Sequence, residues 1–266
     1  MTAALQTAIV AAGALAGVCW LLSLVTRDVS WVDRIWSLAP VGYVAWFASR
    51  ARFADARLDL MLLLVAAWGL RLTYNFARKG GYRRGGEDYR WLVLRQKLGP
   101  LTFQLFNATF IAPFQNALLL AIALPAWAAL AHPAPLASTD AAAAALFVAF
   151  LVGETIADQQ QWRFHEDKAQ RRAGEREIAQ PFLTRGLFRY SRHPNFFCEM
   201  GMWWSFYLFG VAGSGWLNAT MGGAIVLTLL FQGSTRMTEQ ISLGKYPSYA
   251  DYQRTTSRLI PWSPSA

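Results

Sequence analysis

The stretch AALQTAIVAAGALAGVCWLLSLV, residues 3–25, runs for twenty-three positions without a charged side chain. As a helix it is long enough to cross about 30 Å of hydrocarbon. It lacks the basic n-region of a secretory signal, and a second apolar segment begins at Trp31, five residues further on. We therefore read it as a retained span rather than a cleaved leader.

The remainder repeats this pattern. Of the 266 residues 55% are hydrophobic and 15% charged, against about a quarter charged in an ordinary soluble domain. The mean hydropathy is +0.24. Apolar stretches at roughly 3–25, 31–48, 58–77, 112–129, 141–160, 194–212 and 216–233 predict an all-α, polytopic membrane bundle of about seven transmembrane helices, forming a single domain over 1–266. Leu101–Leu130 is longer than one span needs, and reads as an interfacial piece ending near Pro113 followed by the fourth span. His132–Pro135 makes a turn. The fifth span is expected to continue as a helix to about Arg172, and an amphipathic tail covers 234–262. Twelve Trp, seventeen Phe and nine Tyr suit interfacial anchoring.

Basic residues set the orientation. Residues 71–97 and 163–192 hold eight Lys/Arg each and the tail four, whereas 131–140 and 210–217 hold none. Seven spans put the basic regions on one side, which the positive-inside rule makes cytoplasmic. The N-terminus is then outside and the C-terminus cytoplasmic, in an integral membrane protein of the bacterial inner membrane. Membrane lipids are its expected surroundings. No nucleic-acid partner is implied, and the oligomeric state stays open. Cys19 and Cys198 sit in apolar segments, and three histidines lack ligand spacing, so no metal site is expected.

Ionisable groups within spans are costly and by default mark function. Trp68, Arg71, Asn75 and Arg78 form one stripe on the third span. Glu154 and Asp158 share a face on the fifth, with Arg163 and Lys168 following. Arg192-His193-Pro194-Asn195 opens the sixth, with Glu199 a turn beyond, and a helix start of this kind suits a phosphate or carboxylate. Arg236 and Glu239 lie just past the seventh. If the spans bundle, these groups enclose one polar pocket. The plainer alternative is internal pairing, Asp33 with Arg71 for example.

Residues 186–199, GLFRYSRHPNFFCE, resemble the C-terminal signature of the steroid 5α-reductase family. Further resemblance to a bacterial branch of that family lies in Gly86–Trp91, in Glu154–Asp158 with Arg163, and in Glu239 ahead of Tyr246-Pro247-Ser248-Tyr249. The resemblance implies NADPH in a cytoplasm-facing cavity and hydride transfer to a carbon–carbon double bond conjugated to a carbonyl, in a lipophilic steroid- or isoprenoid-like substrate. By position, Asn195 and Glu199 match the family's pair beside the cofactor, and Asp158 and Arg71 match residues lining the cavity. Asp33 aligns with the catalytic Glu. The partner Tyr of that Glu falls at Trp68, leaving Tyr74 as its substitute. The expected catalytic pair is thus Asp33 and Tyr74. The expected cofactor set is Arg71, Asn75, Arg78, Asp158, Arg163, Arg192, His193, Asn195, Glu199 and Glu239.

Isoprenylcysteine carboxyl methyltransferases share the Arg-His-Pro start and a later Glu, so S-adenosylmethionine-dependent methyl transfer is the alternative. The abundance of basic groups favours the anionic nucleotide over the cationic sulfonium.

Overall fold

The computed structural model describes residues 2–174, 181–215 and 218–264. Trp216 and Leu217, where the seventh span was expected to begin, lie outside them, as does Arg176 of the basic stretch. Among the described residues every regular element is helical: α1 (Ala3–Thr26), α2 (Trp31–Ile35), α3 (Ala39–Arg50), α4 (Ala56–Arg78), α5 (Tyr89–Leu98), α6 (Pro100–Phe106), α7 (Gln115–Ala131), α8 (Ser138–Ala173), α9 (Pro194–Ser214), α10 (Met221–Lys245) and α11 (Tyr249–Thr255).

Four helices are long and apolar enough to cross a membrane: Ala3–Thr26, Ala56–Arg78, Pro100–Ala131 and Ser138–Ala173. The expected second span is instead broken, because α2 ends at Ile35 and α3 has only 12 residues, about 18 Å of helix. α9 and α10 have the length, but Trp, Glu, Gln and Arg dilute their apolarity. The chain is thus an integral membrane protein by its four long apolar helices.

The expected interruption near Pro113 is absent. Residues 100–131 form one continuous helix, in which Asn107–Phe114 widens to a π-helix containing Pro113. A widened turn relieves the clash a proline makes with the preceding carbonyl. It also brings side chains four apart nearly into line: the rings of Phe106, Phe110 and Phe114 stack at 4.8 and 4.6 Å.

Two compact units result. The first comprises Met1–Ala144 and Trp204–Leu227, the second Ala145–Trp203 and Thr228–Ala266. In the first, α3 packs on α7 and α4, and α1 packs on α7 and the π-helical segment. Gly69 makes the α4 contact possible, since a Cβ there would lie 2.7 Å from the Ser37 carbonyl oxygen and from Val41. Asp55 caps α4 by accepting from the backbone N–H groups of Arg57 and Leu58, each at 3.0 Å. α4 is further held by Arg57, which donates to both oxygens of Asp140 at 2.7 and 2.9 Å and to the Pro135 carbonyl at 2.8 Å.

In the second unit, α8 runs unbroken to Ala173, as its sequence predicts. α9 starts at Pro194, where a proline costs no hydrogen bond. The expected polar tail is not a separate element at its outset: α10 carries straight on to Lys245, and only then does the chain turn into α11.

Candidate functional site: a buried carboxylate hub at the start of α9

The start of α9 is assembled from segments distant in sequence. The 3-10 turn Gly186–Arg189 precedes it, and Gly186 is required there. Its φ is +63°, and a Cβ would meet the Gln160 amide at 2.5 Å, from which Gln160 accepts the Leu187 N–H at 2.9 Å. The following strand-like segment is pinned by the C-terminal stretch. Arg192 N–H donates to Ser257 O at 2.9 Å, His193 N–H to Arg258 O at 3.1 Å, and Trp262 N–H to Tyr190 O at 2.9 Å. The Ser191 hydroxyl donates to Leu259 O at 2.7 Å, and the Tyr252 hydroxyl donates to Phe188 O.

Glu239 stands at the centre. Its Oε1 accepts from Arg192 Nε at 2.6 Å and pairs with His193 Nε2 at 3.1 Å. Its Oε2 accepts from Arg192 Nη2 at 3.1 Å and Gln253 Nε2 at 2.8 Å. Burial pushes this carboxyl up, but the hydrogen bonds from His193, Arg192 and Gln253 outweigh burial and hold it at about 2. Arg192 Nη1 donates to the carbonyls of Gln253 and Thr256. The guanidinium is therefore directed at protein acceptors, not outward as an anion cradle.

Asn195 and Glu199 follow on α9, and Glu199 accepts from the Trp203 indole at 3.0 Å. On α8, Glu154 and Asp158 are buried on one face, as their spacing predicts, while Arg163 is exposed. Arg236 is exposed as well, whereas Glu239, one turn on, is buried. Lys168 donates to the Tyr246 hydroxyl at 3.0 Å and to Pro181 O at 2.5 Å, and this ammonium lowers the Tyr246 phenol.

In the first unit, the α4 stripe turns inward as predicted: Trp68 and Asn75 are buried and Arg71 is half-buried. Arg78 Nε donates to Asn75 Oδ1 at 2.9 Å. Tyr74 lies off this stripe. It is 67% exposed, with the Arg78 guanidinium 5.4 Å from its ring centroid. Asp33 Oδ2 accepts from the Trp91 indole at 2.9 Å. The Gly-rich loop after α4 is stitched to the same segment, since Arg34 pairs with Asp28 at 2.6 Å and donates to Gly81 O, while Glu87 accepts from Val29 N–H at 3.0 Å and Asp88 N–H donates to Ser30. Sequence reasoning assigned no role to Trp91 or Gln253. The motif around Trp91 had been noticed, but a hydrogen bond spanning 58 positions leaves no periodicity to detect.

Four long apolar helices define an integral membrane protein, and the start of α9 adds a buried, polar, multi-segment hub. A family described as a protein of unknown function, DUF1295, matches residues 19–256, and the chain belongs to it. An uncharacterized protein of Schizosaccharomyces pombe is 38% identical over 263 residues, covering 93% of this chain and 76% of the relative. No solved structure matches.

Proposed function

We propose that the protein is a membrane-embedded, NADPH-dependent reductase of a conjugated carbon–carbon double bond in a lipophilic carbonyl compound, with the N-terminus outside and the α9 hub on the cytoplasmic side. The observation that carries the reading is the hub itself. Arg192, His193 and Glu239, all in the stretches that resemble the steroid 5α-reductase signature, meet on one buried carboxylate although 46 positions separate His193 from Glu239.

The donor set suits the nucleotide. Buried Glu199 and half-buried Asn195 are polar partners for a carboxamide and ribose hydroxyls, while exposed Arg163 and Arg236 offer cations to phosphates. NADPH, when bound, supplies the hydride. The protein's own residues do the rest. Glu239 fixes Arg192 and His193, which set the direction of the first turn of α9 and so of Asn195 and Glu199. In the first unit, Trp91 fixes Asp33 Oδ2, and Asp33 is the acid that the resemblance names. Exposed Tyr74 has no supporting observation as its partner. A bacterial inner membrane remains part of the proposal on charge distribution alone, the similar yeast protein lending it no support.

Methyl transfer from S-adenosylmethionine is the second reading. It is favoured by the burial of Glu154, Asp158, Glu199 and Glu239 in one unit, since carboxylates suit a sulfonium. Titrating each cofactor against thermal stability in detergent separates the two, because ligand at 100 times its Kd stabilises by about 2.7 kcal/mol. We expect NADPH to raise Tm saturably and to be oxidised when an enone is added. A rise with S-adenosylmethionine alone would replace the reductase reading with the methyltransferase.

A further inference from the structure

Two of the long apolar helices of the first unit, α1 and α4, are tied together where they end. Arg95 donates to the Arg27 carbonyl at the end of α1, Glu87 accepts the Val29 N–H, and Arg34 donates to the Gly81 carbonyl in the loop after α4. Just before these ends both helices present apolar side chains outward, Val25 being 81% exposed and Leu70 74%. The junction therefore sits where a span passes from hydrocarbon to headgroups.

The carboxylates of this junction are all engaged within the protein. Asp28 pairs with Arg34 at 2.6 Å, Glu87 with Arg95 at 2.8 Å and Asp88 with Arg90 at 2.7 Å, while Asp33 accepts from the Trp91 indole. The other carboxylates of the unit, Asp55, Asp59 and Asp140, belong to the start of α4 and of α8, at the far end of about 34 Å of helix. Arg27, Arg83, Arg84 and Lys97 are left exposed, with no side-chain partner among the described residues. The loop that carries two of them is held in shape. Gly80 and Gly85 take φ of +84° and +82°, and a Cβ at Gly86 would overlap the Gly80 carbonyl. The Tyr82 ring lies edge-on to Phe76 at 5.0 Å, and its hydroxyl donates to the Arg34 carbonyl at 3.1 Å. Tyr82 and Tyr89 are nonetheless exposed, as aromatic side chains at a headgroup boundary are. A cationic face at this level has its complement in the bilayer itself. Guanidinium groups bind phosphate in two-pronged geometry, and basic segments beside a span are drawn to an anionic leaflet.

We propose that Arg27, Arg83, Arg84 and Lys97 form a docking surface for the headgroups of anionic phospholipids, in the leaflet at the C-terminal ends of α1 and α4. The proposal is independent of the reductase reading, since none of the four belongs to the residues assigned to the cofactor or to catalysis.

The full chain in a neutral detergent is titrated with phosphatidylglycerol, with phosphatidylcholine of the same acyl chains and with inorganic phosphate, bound lipid being counted by native mass spectrometry. The expected result is saturable binding of phosphatidylglycerol, about tenfold or more tighter than phosphatidylcholine and weakening as salt is raised. Arg83→Ala with Arg84→Ala should weaken it about 25-fold, at roughly fivefold per cation. The lipid-free Tm should not change, because neither side chain has a partner to lose. Arg83→Lys with Arg84→Lys keeps the charge and should keep most of the affinity. Arg185→Ala with Arg189→Ala removes two exposed cations of the second unit and should leave the affinity within about twofold. Equal affinity for the two lipids, undiminished affinity in the Arg83/Arg84 alanine pair, or an equal loss in the second-unit pair would overturn the proposal. So would an alanine pair at Arg83 and Arg84 that melts well below wild type without lipid, since that marks the arginines as structural. Displacement of phosphatidylglycerol by millimolar inorganic phosphate would overturn it in favour of a soluble anion, and a Tm rise with NADPH that the same pair abolishes would give the surface to the nucleotide.

Discussion

A deeply placed arginine–carboxylate pair occurs in each unit, and the two are built differently. In the first unit, Arg57 and Asp140 are 1% and 2% exposed and grip each other in the two-pronged geometry of a guanidinium on a carboxylate. Asp140 also accepts the Ala137 N–H at 2.8 Å, and Arg57 Nη1 has no partner among the described residues. This is a closed clamp between the start of α4 and the start of α8. In the second unit, Arg192 and Glu239 share their bond with a histidine and a glutamine, and the arginine reaches on to two backbone carbonyls. A clamp needs one partner. A hub that orients several segments needs its carboxylate to be contacted from several sides.

The largest effect expected is at the clamp. Asp140→Ala leaves Arg57 charged and buried, and should cost on the order of 3–5 kcal/mol in a detergent unfolding titration. Replacing both partners together, Arg57→Met with Asp140→Leu, should recover most of that loss if the clamp is purely structural. At the hub, Glu239→Gln keeps a hydrogen-bonding side chain but removes the charge opposite Arg192. A loss of about 2–3 kcal/mol is expected, accompanied by weaker NADPH stabilisation, whereas the clamp variants should leave cofactor response per folded molecule unchanged.

Acid sharpens the contrast further. Glu239 is lowered to about 2 in the folded protein, against about 4.3 for an unperturbed glutamate. Its contribution is thus complete above about pH 4.3 and is lost as pH falls through 2. Melting temperature followed from pH 5 to 2 should decline in wild type and decline less in Glu239→Gln. The smallest effect belongs to Tyr252→Phe, which removes one buried hydroxyl donating to Phe188 O. A loss of about 1 kcal/mol is expected, with cofactor response nearly intact.

How much of this was legible beforehand depended on whether the signal was local. Pro194 at the head of α9 and the amphipathic spacing of Glu154 and Asp158 are short-range features, and they held. So did the inward stripe of Trp68, Arg71 and Asn75. Tyr74 is adjacent to that stripe in sequence, yet one residue is a rotation of about 100° on a helix, enough to turn a supposed interior acid to the outside. The proline at 113 misled because a proline's effect depends on the width of the turn around it. Arg57 stands in sequence among the charges Arg50, Arg52, Asp55 and Asp59, while its partner lies 83 positions away. Likewise Arg192 beside a helix start looked free to hold an anion, and only the fold reveals the glutamate that occupies it.

The pinning of residues 190–193 by 257–262 also sets an order of events during synthesis. The acceptors for the Arg192 and His193 backbone emerge from the ribosome roughly 3–13 s after those residues do, at common elongation rates of about 5–20 residues per second. For the first 47 residues of that interval Arg192 has neither its glutamate nor its carbonyls. The start of α9 is therefore made before it can be pinned, and the hub closes only once residues 257–262 have been delivered.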